Sequence, residues 1–379
     1  MHRERRPPER SDKGEGTREK GPADWLIVLT MDVRRSCVRL RTALVACLAV
    51  SAAGAAQQSA SVVYQGTDGP GRGKHIVFLA GDHEYRSEET LPALARILSK
   101  RYGFKSTVIF TTNRETGFIE PGSSNISGLD ALRTADVLVI FLRFQDFPDD
   151  EMQHIVDYVE RGGPIVGLRT ATHAFQIKRP DAKFAKYTWN NPGDFQGGFG
   201  RQILGETWVS HYGRNHVQSS RLLIEPSHAE HPILRGVTNV WAQSGGYTAD
   251  PMPGSEVLAR GQILDGMTRD APAARDKKEF PVAWVRTYQT ASGKSGRVFT
   301  TTHGASEDLL NEGFRRMLVN ACLWATGLES TIKATNDVSF VGPYEPTTFG
   351  FGGYVKGVKP GDLAGWDSPI LPKNQQQQH

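Results

Sequence analysis

Four continuous apolar runs, each followed by a polar or helical stretch, organise the first half of the chain. Residues 74–80 form the first run and end at Gly81. Residues 106–110 are rich in β-branched side chains, 136–142 centre on Val137-Leu138-Val139-Ile140-Phe141, and 164–168 read Pro-Ile-Val-Gly-Leu. Runs without alternation predict strands buried on both faces. Between them, Ser87 reads as the N-cap of a helix that continues to about Tyr102, with Glu88 and Glu89 at its positive end and Gly103 as its C-terminal stop. Pro148 opens a second helix, 148–161, which stops at Gly162-Gly163. Buried runs alternating with helices predict an α/β fold, with a mainly parallel sheet covered by helices on both faces.

The second half has a different texture. Residues 176–215 carry Gly, Asn, Trp and Lys with little periodicity and read as an excursion over the strand ends. Four further strands are predicted at 221–225, 256–263, 280–288 and 297–302, some of them extending the sheet antiparallel. An amphipathic helix over 312–325 closes the domain and is capped by Gly327. Residues 328–372 have no helical or strand period but hold Phe340, Tyr344, Phe349, Phe351, Tyr354 and Trp366 among many Gly and Pro. That composition predicts an extended tail, wrapped over the domain or docked on a second copy of the chain, with 375–379 loose.

Charge changes the picture at the N-terminus. The chain of 379 residues carries a formal net charge of +4, but residues 1–56 hold 11 Lys/Arg against 7 Asp/Glu, and the remainder is balanced at 34 each. A neutral body argues against nucleic acid as a partner. No stretch reaches the length of a membrane span, so stable membrane insertion is not expected. Residues 1–24 read as disordered. Arg34, Arg35, Arg39 and Arg41, an apolar run from Thr42 to Ala53 and the small residues Ala53-Gly54-Ala55 form a signal-peptide pattern. The expected layout is a disordered leader and signal peptide over 1–56, a linker over 57–73, an α/β domain over 74–327 and a tail over 328–379, in an exported, periplasmic or extracellular protein. Leu44-Val45-Ala46-Cys47 resembles a lipobox and leaves a lipoprotein as the minor alternative. With Cys37 and Cys47 in the leader, only Cys322 remains, which excludes an intramolecular disulfide. Its helical partners Phe314, Leu318, Ala321 and Ala325 predict an inert, buried thiol.

Familiar catalytic motifs are absent: there is no P-loop, no dinucleotide fingerprint and no G-x-S-x-G elbow. Polar residues gather instead at strand carboxyl ends, the rim that holds the ligand crevice in open α/β sheets. The first cluster supplies Asp82, His83, Glu84 and Arg86; the third strand ends in Arg143; the fourth in Arg169, Thr170 and His173; a late strand in His303. His83, Glu84, His173 and His303 are the candidate acid/base groups, since imidazole titrates near neutrality. Asp82, Arg86, Arg143, Arg169 and Thr170, with Trp189, Trp208 and His211 of the excursion, are candidates for holding a substrate. Arg169 stands where an elbow nucleophile would, and guanidinium binds hydroxyls and carboxylates rather than attacking carbon. His211 and His216 leave a divalent metal open, although no compact ligand spacing supports one. His228 and His231 have such a spacing but sit in a turn before Pro232.

The Gly81-Asp82-His83-Glu84 loop, the strand Pro164 to Leu168 followed by His173, His231-Pro232-Ile233, and Gly296-Arg297-Val298-Phe299 leading into Phe314 to Ala321 together resemble the ThuA-like family, named for trehalose utilisation. The resemblance spans about 74–327. It implies a flavodoxin-like three-layer sandwich related to class I glutamine amidotransferases, and a role in carbohydrate breakdown. Family members commonly carry Gly-Leu-His-x-x-His after the fourth strand. Here Arg169 replaces one His, and no cysteine stands at the elbow, so glutaminase activity is not expected. Two readings follow. One is an exported enzyme that hydrolyses or isomerises a glycoside or oxidised sugar by His-based proton transfer. The other is a non-catalytic sugar-binding or assembly protein, with the tail mediating self-association.

Overall fold

A computed structural model describes residues 60–370. The leader and signal-peptide readings therefore lie outside the described residues, as do 57–59 and the final stretch 371–379. Within 60–370 the strands in chain order are β1 (Ser61–Gln65), β2 (His75–Gly81), β3 (Lys105–Phe110), β4 (Val137–Leu142), β5 (Ile165–Leu168), β6 (His211–Tyr212), β7 (Ser219–Ile224), β8 (Trp241–Ala242), β9 (Gly246–Tyr247), β10 (Glu256–Leu264), β11 (Phe280–Gln289) and β12 (Ser295–Thr301). The α-helices are α1 (Ser87–Tyr102), α2 (Asp149–Glu160) and α3 (Glu312–Ala325).

Ten strands form one sheet in the order β1-β3-β2-β4-β5-β12-β11-β10-β7-β8. From β3 to β12 the pairing is parallel. β1 closes one edge antiparallel, and β11, β10, β7 and β8 extend the other antiparallel. Successive side chains of a strand point to opposite faces, and β2 shows why its run has no polar position. Ile76, Phe78 and Ala80 enter one apolar cluster with α1 and α3, while Val77 and Leu79 enter a second with Met152, Ile155 and Tyr158 of α2. The result is an α/β fold with helices on both faces of a mixed sheet, parallel at its centre.

Two local expectations change, and the course of the tail is decided. Residues 61–65, inside the stretch read as linker, are β1, which pairs with β3 from Ser61 opposite Ile109 to Gln65 opposite Lys105. An edge strand of five residues needs only one buried face, which is too short a pattern to stand out. Ser87 is the first residue of α1 and not its cap. Arg86 takes that place in the left-handed region at φ 65°, and the Ser87 hydroxyl accepts from the Asp82 amide at 2.9 Å. The tail is extended and lies across its own domain. Arg96 donates to the carbonyls of Leu363 and Ser368, Tyr64 donates to Leu363, and Phe349, Val355, Val358, Leu363 and Ile370 join the core.

Candidate functional site

Asp82 organises the loop after β2. It is fully buried and accepts from the amides of Glu84 and Tyr85 and from the Thr170 hydroxyl at 2.7 Å. This fastens the turn after β2 to the turn after β5 and leaves His83 and Glu84 facing the end of β4. There the Arg143 guanidinium meets His83 Nε2 at 2.8 Å and Glu84 Oε2 at 3.4 Å, between the rings of Phe144 and Phe351 at 4.7 and 4.9 Å. Guanidinium only donates, so His83 Nε2 carries the lone pair and its proton sits on Nδ1. Nδ1 is buried without a partner, against the turn at Gly122.

Phe144, in the left-handed region at φ 50°, turns its ring onto His173 at 4.9 Å. His173 is buried between Phe144, Trp208 and Tyr247, with ring distances of 4.9, 5.5 and 6.4 Å. Its tautomer follows from a chain of donors. The Tyr247 hydroxyl donates to the Arg169 carbonyl at 3.0 Å, so it must accept from the Thr172 hydroxyl at 2.9 Å. Thr172 has then spent its hydrogen, and its oxygen can only accept from His173 Nδ1, 3.4 Å away. His173 Nε2 is left with its lone pair.

Electrostatics points the same way. Burial, then the Arg143 and Arg169 cations, hold the His173 imidazole well below its ordinary pKa. Burial chiefly lowers His83 and His211 as well, with Arg143 adding to it in each and the Asp82 carboxylate opposing it at His83. Burial raises the Glu84 carboxyl, against the pull of Arg143. The site is therefore a set of neutral imidazoles around one cation–carboxyl pair. Such imidazoles keep a lone pair free to accept a proton at neutral pH, although the same cations weaken them as bases, and the Arg143 guanidinium can steady a negative charge.

Aromatic side chains continue from this centre. Trp189 stands 5.6 Å from Phe144 and 5.8 Å from Trp208, and Trp208 stands 5.6 Å from His211. A cleft of about 630 Å³ opens along the two tryptophans, lined also by Asn190, Asn191, Gln196 and Arg201. Rings beside amides and a guanidinium match the apolar faces and hydroxyl edges of a sugar.

Other expected residues have different duties. His303 is fully buried, its Nε2 meets the Ser220 hydroxyl at 2.5 Å, and burial pushes its pKa down to about 3. Its partners are not those of His173 or His83. Arg86 spends its guanidinium on the tail, donating to Thr347 Oγ1 and to the carbonyls of Thr348 and Gly350. Arg169, at the elbow position with φ 46°, pegs the carbonyls of Gly245 and Thr302 and lies 4.0 Å over the Tyr85 ring. Among the described residues no three His, Cys, Asp or Glu side chains converge as a metal site. His83 Nε2 meets Arg143, while the His211 ring lies 5.6 Å from Trp208 and the His216 ring stacks on Phe349 at 4.2 Å. Phe144, Thr172, Tyr247 and Phe351 were not among the expected site residues. Phe144 beside Arg143 and Thr172 beside His173 stood at strand ends, and Phe351 stood among the tail aromatics, whereas Tyr247 carried no local signal.

The comparisons with known proteins agree with the sequence pattern. No curated protein matches. Among solved structures, a ThuA-like protein from Parabacteroides merdae is 14% identical over 73% of this chain and 97% of its own, with a TM-score of 0.44. A ThuA-like protein from Bacteroides uniformis is 15% identical over 68% and 92%, with a TM-score of 0.41. The ThuA family model, described as trehalose utilisation, matches residues 75–325. That match takes in every strand of the sheet except β1, together with the whole Arg143–His173 cluster, and so the chain belongs to the ThuA family.

Proposed function

We propose that the protein is an exported carbohydrate enzyme in which His173 Nε2 is the general base, acting on a glycoside or an oxidised sugar. The observation that carries this reading is the donor chain from His173 through Thr172 and Tyr247 to the Arg169 carbonyl, which leaves a neutral Nε2 with a free lone pair next to Trp208. The family's description, trehalose utilisation, supports the substrate class. Glu84, raised by burial, is the partner that exchanges the proton, and Arg143 steadies the developing negative charge. Export rests on the signal-peptide pattern of Arg34 to Ala55, and N-terminal sequencing of secreted protein should start near Ala56 or Gln57.

The test is product formation, followed by NMR, from trehalose, methyl glucosides, gluconate and glucuronate. His173→Gln should lower turnover by about 10²–10⁴-fold, the range for a general base, and leave the melting temperature within a few degrees. Equal turnover by folded His173→Gln protein refutes the assignment. One observation favours the second reading, a sugar-binding protein without turnover: the elbow position is filled by a guanidinium locked onto two carbonyls. Saturable binding of these sugars with no product would select it.

A further inference from the structure

The tail lies outside the residues matched by the family model, 75–325, yet it reaches the centre of the site. From Thr347 to Gly350 it is fastened at every residue. Glu89 accepts from the Thr347 amide at 2.8 Å and from its hydroxyl at 2.5 Å. Ser306 donates to the Thr347 carbonyl at 2.9 Å, and Glu307 accepts from Thr348 Oγ1 at 3.2 Å. Arg86 holds the carbonyls of Thr348 and Gly350 at 3.1 and 2.9 Å. The Phe349 ring is buried, stacked at 4.2 Å on His216 and 5.1 Å from Tyr85. The Gly350 amide donates to the Glu84 carbonyl at 2.7 Å. Glu84 thus anchors the strap with its backbone while its carboxyl pairs with Arg143.

Immediately after these anchors, Phe351 behaves differently. It is 64% exposed, although its neighbour Phe349 is buried. Its ring stands 5.5 Å from His83 and 4.9 Å from the Arg143 guanidinium. The glycines around it serve this placement. Gly350 at φ 154° and Gly352 at φ 68° adopt backbone that side chains rarely take, and a Cβ on Gly353 would lie 2.2 Å from Arg86. An anchored stretch that carries one solvent-facing aromatic ring onto a cation and an imidazole forms a wall. A lone exposed ring is ordinary on a surface; what sets Phe351 apart is that its ring lies against two groups of the site, His83 and Arg143.

We infer that residues 347–353 form a wall of the site beside His83 and Arg143 and that Phe351 is its specificity-determining platform, stacking its exposed face on the apolar face of a ligand ring. The ring chemistry rests on the carbohydrate reading; the wall itself does not. Two measurements on the full chain separate them. Carbethoxylation of His83 by diethyl pyrocarbonate, followed by peptide mass spectrometry with His228 as internal reference, reads whether Phe351 covers the site. It should quicken several-fold in Phe351→Ala and return to the wild-type rate in Phe351→Trp. Calorimetric titration with methyl β-glucoside and with glucuronate reads selection. Phe351→Ala should weaken the better binder by about 2–12-fold, the equivalent of one aromatic contact, and Phe351→Trp should restore it. The melting temperatures of both variants should stay near that of the wild type because the side chain is exposed. If neither sugar binds the wild type, the carbohydrate reading fails while the His83 measurement still decides the wall. Unchanged His83 reactivity in Phe351→Ala overturns the wall. Faster modification with unchanged sugar affinity overturns the role in specificity.

Discussion

Replacing Arg143 with Met tests the electrostatic account most directly, because one guanidinium is assigned three effects. The side chain is 12% exposed and its partner Glu84 is 7% exposed, so the pair is largely desolvated. At 3.4 Å and an effective dielectric of about 20, the attraction is about 5 kcal/mol. Removing one member of such a buried pair leaves an uncompensated charge and typically costs about 3–5 kcal/mol. The His83 bond at 2.8 Å is lost with it. Burial already raises the Glu84 pKa and Arg143 opposes that rise, so the variant's carboxyl moves further up. A group whose folded pKa lies above its unfolded value favours the folded state at low pH, and that contribution disappears as pH rises through the folded pKa. The gap in melting temperature between wild type and Arg143→Met should therefore be small at pH 5 and wide at pH 8. Arg143 also lowers His83 and His173, so both imidazoles should titrate at higher pH in the variant. Thermal denaturation at the two pH values and NMR titration of the histidine ring protons are the assays. A gap independent of pH, together with unmoved His173 titration, would refute the reasoning.

Two further outcomes follow from burial. Cys322 is fully buried and burial pushes its thiol up, so Cys322→Ala should leave turnover per folded molecule intact and cost about 1–2 kcal/mol in denaturant unfolding; complete loss of activity in folded protein would contradict this. Glu88 is buried at the start of α1 with both carboxylate oxygens unpartnered, and burial, with Glu89 beside it, pushes it up to about 8. Each unit of such a shift is worth ~1.4 kcal/mol, and by the same sign the stabilising protonated state is lost as pH rises from about 4.5 through 8. Glu88→Gln should flatten the fall in wild-type melting temperature between pH 5 and pH 9, and a parallel pH profile in the two proteins would exclude the assignment.

The amino-acid sequence by itself determined the central elements of the fold. The buried runs of β2, β3, β4 and β5 and the amphipathic period of α3 are local signals, because a strand between two helix layers must be apolar at every position. The strand-end clusters were legible because a polar residue that ends an apolar run, even when buried as Asp82 and His303 are, needs polar partners at the sheet rim. Tertiary structure decided what those polar residues meet. Arg86 and Arg169 looked like substrate clamps until their guanidinium groups found carbonyls 264 and 133 residues away in the chain. His303 stands at a strand end like His173, but it was closed in against Ser220 of β7. Thr172 and Tyr247, 75 residues apart, set the tautomer of His173. β12 enters beside β5 and brings the antiparallel extension with it. Periodicity reports which face of an element is buried and carries no record of which distant segment buries it. Whether an arginine or histidine at a strand end binds a ligand or its own backbone is settled only when the chain closes over it.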